Sequence, residues 1–455
     1  MMQPNKQSDD FLNALTEFAF SITLDRIPTS VVKTGRRILV DTTGVILAAI
    51  NEHQVQALAD QMADASMAPC SSILGSHRRT DAMWAALVHG TAGVWHELDG
   101  GHRFSGGHPA VYAVAAGLAV AERQAVSGGQ LLEAIIAGYE VAARVGLATT
   151  LRPGMDTHGS WPALAAATTA GLLMGYDRSQ LRETLNVFTS LNLASSNRAA
   201  YEGATVRNAY AGFGAAMGVL AADLVNDGFT GERDGISTIF GNIAGVFLDA
   251  EKVLEDLGKR WEIERGYFRV HACARCIHPA LDALISISKA HDFLPEEIEH
   301  LDVSTYSLAA TLNDAAPQNP SAARFSMPHA MASYLILRET SVANFSQKAL
   351  QNDKIRALAR RIAVNDDQGM TRRTPAQRPA SVRVVLRDGK TLEASTVLAS
   401  GEYDHAPLGD EELSEKFLSL ASDPLGQQKT TDLLDKLWHL DAVEDITEIS
   451  HLFTK

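Results

Sequence analysis

A chain of 455 residues that is 46% apolar and 21% charged can bury more than one sizeable core, and its length suits two domains. A net charge of −14 and a pI near 5.5 count against nucleic acid or an anionic membrane as the main partner. Residues 1–10 are polar and lack a cationic stretch leading into an apolar one, so no secretory leader is read there and a cytoplasmic location is expected.

Apolar residues recur at helical spacing over residues 10–20, 30–49, 54–63 and 81–94, then over 111–120, 129–147, 161–174, 177–191, 207–226 and 253–258. Ser30, Asp81 and Asp177 stand where helix N-caps belong. The stretches at 161–176 and 209–222 are too rich in Ala, Gly and polar residues for membrane spans, so they read as core helices. After Gly266 the pattern changes. A helix at 279–290 leads into 298–306, where His300, Asp302 and Ser304 alternate with Leu301 and Val303 as in a half-buried strand. Residues 362–365 add a strand, and 381–395 read as strand, Asp388-Gly389 turn and strand. From 410 to 453 the helical period returns, with Leu413, Phe417, Leu420, Leu433, Leu434 and Leu437 in register. The expected fold class is therefore mainly α with an α+β second domain. Residues 1–266 form a large all-helical domain that the C-terminal helices of 400–455 complete, and 267–399 form a smaller inserted α+β domain.

Four segments carry chemistry. Residues 95–110 read W-H-E-L-D-G-G-H-R-F-S-G-G-H-P-A, packing His96, Glu97, Asp99, His102, Arg103 and His108 into a glycine-broken loop between two apolar helices. Asp and His exchange protons with substrates and Arg binds carboxylates, so this is built like an active-site loop rather than a polar surface turn. Residues 152–162 place His158 just before a helix N-terminus, where anions are favoured. Residues 196–210 hold Arg198, Tyr201 and Arg207; either arginine can grip a carboxylate with two parallel bonds or pair with a neighbour such as Glu202. Residues 267–279, at the expected domain junction, gather Arg269, His271, Arg275 and His278, a second concentration of anion-binding groups in an acidic chain.

The three cysteines, Cys70, Cys273 and Cys276, are too few for a disulfide framework and suit a reducing compartment. His271, Cys273, Cys276 and His278 could hold zinc or form a redox pair, but they crowd into one short segment without a second half-site. Buried structural cysteines are the default, and no metal is expected.

Taken in order, these segments resemble the MmgE/PrpD family, which includes 2-methylcitrate dehydratases, cis-aconitate decarboxylases and an iminodisuccinate epimerase. The resemblance extends through Leu39-Val40-Asp41-Thr42-Thr43-Gly44, through residues 134–146 with Gly138-Tyr139-Glu140 and Arg144, and through 203–208 with the Arg207-Asn208 pair. It ends in Arg275-x-x-His278-Pro279-Ala280-x-Asp282-Ala283. It implies a helical domain with a smaller α+β domain, a homodimer, an inter-domain site for small di- or tricarboxylates, and no obligatory metal or organic cofactor. By position, Asp99 falls on the first aspartate of the family's D-F-D-D-S/T loop, His108 on the histidine of its H-P pair, and His158 on its second active-site histidine. Arg198 and Arg269 fall where the family has lysines, and Gly100-Gly101-His102-Arg103 stands where it commonly has F-D-D-S/T. Arginine keeps its proton at working pH, so an acid–base role of those lysines is lost here and carboxylate binding is kept.

The expectation is a cofactor-independent lyase, first of all a hydro-lyase, acting on a small polycarboxylate such as a 2-methylcitrate-like substrate. Arg103, Arg198, Arg269 and Arg275, with Tyr201 and His271, hold the carboxylates and the charge that builds on deprotonation. Asp99 or His158 takes the proton, and His102 or His108 donates one. Decarboxylation and epimerisation share the same stabilised carbanion, so a decarboxylase, epimerase or other isomerase is the alternative. A carboxylate-binding protein without turnover and a metal enzyme built on His271, Cys273, Cys276 and His278 are the remaining readings.

Overall fold

The structure, a computed structural model, describes residues 6–455; the first five residues of the 1–10 leader reading lie outside the described residues. The helices of the first half are α1 (Lys6–Ser21), α2 (Thr29–Ala49), α3 (His53–Ala65), α4 (Ala82–Gly93), α5 (Pro109–Gln124), α6 (Gly128–Ala148), α7 (Leu164–Leu173), α8 (Arg178–Ser190), the single turn α9 (Arg198–Tyr201) and α10 (Val206–Asn226). Asp177 caps α8 as expected: its side chain accepts the Gln180 N–H while the Gln180 side chain reaches back. Ser30 does not cap α2, which opens at Pro28, and Asp81 precedes α4 without a side-chain bond. The helix expected at 253–258 runs instead over Ala250–Leu254, because Asp256 takes a left-handed φ of 52° that ends it.

Helices α4 and α10 cross at close range because small residues meet there. A Cβ on Gly90 would lie 2.8 Å from the Ala211 carbonyl oxygen, and one on Gly212 would strike the Leu87 carbonyl. Helix α10 is long and apolar enough to cross a membrane, yet 56% of that stretch is buried against α4, α5, α7 and α8, which makes it a core helix.

The helical part also contains strand. Ser71–Ser72 pairs with Arg79–Thr80, Thr149–Leu151 with Gly245–Leu248, and β1 (Gly101–His102) with β2 (Gly266–Tyr267). Pairings this short leave no period-two pattern, so the expectation of an all-helical unit misses them.

After β2 come α11 (His278–Ala290), β3 (Ile298–Thr305), α12 (Met327–Leu337), β4 (Ile362–Asp366), β5 (Ala380–Leu386), β6 (Thr391–Thr396), α13 (Asp410–Leu425) and α14 (Gln427–Trp438). The four strands form one sheet in the order β6-β5-β3-β4, antiparallel except for the parallel β3–β4 pair. Leu301 faces Val384 and Val303 faces Val382, and the buried face of this alternation packs on Leu281, Leu284 and Ile287 of α11. Helix α12 has no counterpart in the sequence reading. It is buried nearly all round from Met327 to Leu335, so it shows no amphipathic stripe.

Buried apolar side chains form two clusters. The larger draws on residues 11–263 and 417–453; the smaller draws on 272–392, with Val45 and Leu98 reaching into it. The chain's two ends meet at α2, where Phe417 of α13 sits against Gly44 and Arg37 pairs with Asp410 at 2.5 Å. Lys416 reaches Asp41 of α2 at 2.6 Å and the Leu98 carbonyl at 3.1 Å. The loop after α4 is thereby held between the two clusters.

Candidate active site

The loop between α4 and α5 enters the protein instead of crossing its surface, and every residue from 94 to 103 is buried. Pairing of β1 with β2 sets Gly101 opposite Tyr267 and brings Asp99 to Arg269. A Cβ on Gly100 would lie 2.9 Å from the Tyr267 carbonyl oxygen, and one on Gly101 would lie 2.5 Å from the Tyr267 hydroxyl. The two glycines are what this approach requires, which gives the departure from F-D-D-S/T a local physical reason.

Asp99, His108 and His158 converge. Asp99 Oδ2 lies 2.8 Å from His108 Nδ1, which also faces the Gly100 carbonyl at 3.0 Å, so Nδ1 carries the proton and Nε2 the lone pair. Arg269 donates from Nη2 toward that Nε2 at 3.3 Å and from Nη1 to Asp99 Oδ1 at 3.1 Å. The His158 ring stacks on His108, with centroids 5.0 Å apart and 16° between planes. Tyr112 Oη accepts the Gly159 N–H at 2.7 Å and keeps its own proton for His158 Nδ1 at 3.1 Å. His158 Nε2, which carries the ring proton, is buried without a hydrogen-bond partner.

Burial by itself raises the Asp99 pKa, but Arg269, His108 and His158 pull the carboxyl far below the usual carboxylate range. Asp99 is therefore ionised. His158 is pushed well below 6.5 by burial and by the nearby Arg207 and His108, so its ring is neutral. Asp156, whose Oδ1 accepts the His158 N–H at 2.9 Å, is raised by burial against the pull of Arg207.

Glu97 and Arg207 complete the cluster. Glu97 has a φ of 54°, uncommon for a non-glycine residue, and the turn sends its carboxylate inward to bridge two arginines. Oε1 accepts from Arg207 Nη1, and Oε2 from Arg269 Nη1 at 2.7 Å. Arg207 also lies 3.8 Å from Asp156. The Arg207-Asn208 pair was a sequence signal for Arg207. Glu97 is one of the charged residues of the 95–110 loop, but the sequence assigns it no role, because its placement depends on a backbone turn.

The other expected site residues lie elsewhere. The Arg198 side chain is 80% exposed and paired with Glu202 at 2.5 Å, and Tyr201 is also exposed; α9 carries both outside, and Arg207 takes the inward place expected for Arg198. His102 points away from Asp99: Nδ1 meets Ser105 at 2.9 Å, and Nε2 lies 3.2 Å from buried Glu262, which Arg260 and Arg265 also hold. Arg103 grips Asp404 with two bonds of 2.9 and 2.6 Å, so it does not reach the cluster. Arg275 is committed to Glu402 and the Ser400 carbonyl, both at 2.9 Å, although it borders the cleft. His271 is held between Thr340 at 2.7 Å and Asp282 at 3.0 Å.

Among the described residues, Asp99, His108 and His158 are the one group of three whose ligand atoms lie close enough for a metal, within 4.8 Å of one another. Arg269 already supplies the positive charge there, so a cation would have to displace its guanidinium. His271, Cys273, Cys276 and His278 form no such group, since His278 Nε2 faces the Cys273 carbonyl at 3.1 Å and His271 faces Asp282. Glu97, His108, Arg207 and Arg269 line a cleft of about 520 Å³ together with Tyr306, Phe325, Pro375 and Arg378. That volume suits a small organic acid.

A mainly helical protein with a small mixed sheet and a buried Asp–His–His cluster where two cores meet belongs to the MmgE/PrpD family. Residues 13–254 match the MmgE/PrpD N-terminal domain and residues 271–440 the MmgE/PrpD C-terminal domain. The chain is also similar to the cis-aconitate decarboxylase-like protein oryM of Aspergillus oryzae, 23% identical over 464 residues that cover 94% of each chain. The family expected from the sequence motifs is therefore the one found, and membership together with this relative supports a lyase-type role.

Proposed function

We propose that this protein is a cofactor-independent lyase that removes water from a small polycarboxylate. The observation that carries the reading is the buried Asp99–His108–His158 cluster beside Arg269, at the wall of a cleft of suitable size. His108 Nε2, its ring oriented by ionised Asp99, takes a proton from the carbon next to a carboxylate. Arg269 faces the charge that builds on the carboxylate oxygens. Neutral His158 supplies its Nε2 proton to the leaving hydroxyl. The stacked rings set a base and an acid side by side, an arrangement that suits elimination. General acid and base each contribute on the order of 10²- to 10⁴-fold in rate.

Decarboxylation is the second reading, favoured by the similarity to the decarboxylase-like relative. It would use the same stabilised carbanion, with His158 returning a proton to carbon after CO₂ leaves. The two buried clusters support treating residues 267–399 as a second domain. A homodimer is part of the same proposal, supported by the exposed apolar Ile243, Val246 and Phe247. So are a cytoplasmic location and independence of metal.

Proton NMR in deuterated buffer with citrate, 2-methylcitrate, cis-aconitate, malate-type and amino-dicarboxylate compounds tests the reading, with Asp99→Asn as control. Loss of water or of CO₂ that disappears in the control supports one lyase or the other. Deuterium exchange without net loss moves the assignment to an epimerase, and binding without any reaction moves it to a non-catalytic carboxylate binder. Full activity after EDTA treatment is expected, and light scattering on the purified protein checks the dimer.

A further inference from the structure

The cleft is electrically lopsided. Around His108, Arg207 and Arg269 each already have carboxylate partners among Glu97, Asp99 and Asp156. Of the four arginines bordering the cleft, Arg275 is also paired, with Glu402. Arg378 differs. Its Nη2 donates to the Arg103 carbonyl at 2.9 Å, and among the described residues no carboxylate forms a direct ion pair with it, Glu402 acting only from a distance. Tyr306, only 3% exposed, lines the same cleft, with Cys276 and Arg378 as polar neighbours of its hydroxyl. A buried guanidinium without a direct carboxylate partner, beside a buried phenol hydroxyl, gains a charge-assisted hydrogen bond when an anion arrives.

From these placements we infer that Arg378 and the Tyr306 hydroxyl form the subsite, in the same cleft as His108, that anchors the substrate's non-reacting carboxylate. The inference rests on the polycarboxylate reading above and sharpens it to a substrate with two separated carboxylates. One end reacts at the histidines and the other is held by Arg378. A third carboxylate near the His108 wall would meet Glu97 rather than a free cation. Arg378 is a binding residue in this scheme and handles no proton.

Calorimetric titration of the full-length protein with glutarate, an unreactive dicarboxylate, tests the subsite directly. Arg378→Gln should raise Kd by about 10- to 100-fold, the range expected for a lost charge-assisted hydrogen bond. Arg378→Lys keeps the charge without the planar fork and should fall between the two. Tyr306→Phe should weaken binding by about 3- to 10-fold, whereas the outward-facing Arg198→Gln should leave Kd unchanged. Circular dichroism spectra matching the wild type show that a variant is folded. If folded Arg378→Gln or Arg378→Lys binds glutarate as tightly as the wild type, or if the wild type turns over a carboxylate yet does not bind glutarate, the subsite is wrong and the lyase reading stands. If binding depends on Arg378 but nothing in the substrate panel reacts, the subsite stands and the lyase reading fails.

Discussion

Two networks of arginines and carboxylates flank the β1–β2 ribbon, and both draw on the same stretches of chain. In one, Arg207 and Arg269 meet Glu97, Asp99 and Asp156 at the cleft wall, and His158 Nε2 remains buried without a partner. In the other, Arg103 and Arg275 meet Glu402 and Asp404, and aromatic rings cover the guanidinium faces: Arg103 lies 4.7 Å from the Phe104 centroid and 5.1 Å from Tyr403, and Arg275 lies 4.5 Å from Tyr267. Residue type does not separate a site from a clasp. The difference is whether ionised and neutral groups are left facing a cavity or are closed over by rings and carbonyls.

The sharpest way to break this comparison is Asp99→Asn, which removes the charge that orients His108. A loss of about 10²- to 10⁴-fold in kcat is expected, read from NMR progress curves, with the thermal midpoint little changed. Arg103→Met should do the reverse. It leaves Glu402 and Asp404 short of a cation and should cost about 3 kcal/mol in urea unfolding, with kcat of the folded fraction within a few-fold of wild type.

The pH dependence of stability reports on the buried histidine of the first network. His158 has a folded pKa below its unfolded value, so the stability it gives is full above about 6.5 and is lost as pH falls below that value, at up to about 1.4 kcal/mol per pH unit. His158→Gln should flatten the wild-type stability curve by that slope between about pH 6.5 and 5.5, measured by urea unfolding across the range. Glu97→Gln removes the internal carboxylate between Arg207 and Arg269. Tricarballylate should then bind roughly tenfold tighter relative to glutarate, as one extra charge contact gives. The smallest effect belongs to Arg198→Gln, where loss of an exposed pair should change unfolding by under about 0.5 kcal/mol and kcat by less than twofold.

Long amphipathic helices were plain in the sequence because each carries its own stripe or cap, as Asp177 and Gln180 do for α8. Helix α12 has apolar residues on every side, and β1–β2 is two residues long, so neither leaves a period to detect. Asp99 and His108 stood out in a glycine-broken loop dense in acids and bases, whereas His158 was read from its place before a helix N-terminus and from the family resemblance. The roles of the arginines stayed hidden. A sequence supplies cations but not the carboxylate each one meets: Arg103 finds Asp404 301 positions away. Glu97 stood in the candidate loop, but its bridging role was not legible, since it depends on the left-handed φ at that residue and on both arginines.

Lys416 has a consequence for the order in which the molecule can be made. Its ammonium group spans 375 positions to Asp41 and 318 to the Leu98 carbonyl, next to Asp99. During synthesis the helices of residues 29–226 emerge long before α13 exists to cover α2, so the groove that Phe417 later fills faces water or a chaperone for most of translation. The reactive loop is among the last parts to be fastened. A ribosome that stalls before residue 410 releases a chain with its acids, bases and arginines complete and its catalytic loop untied.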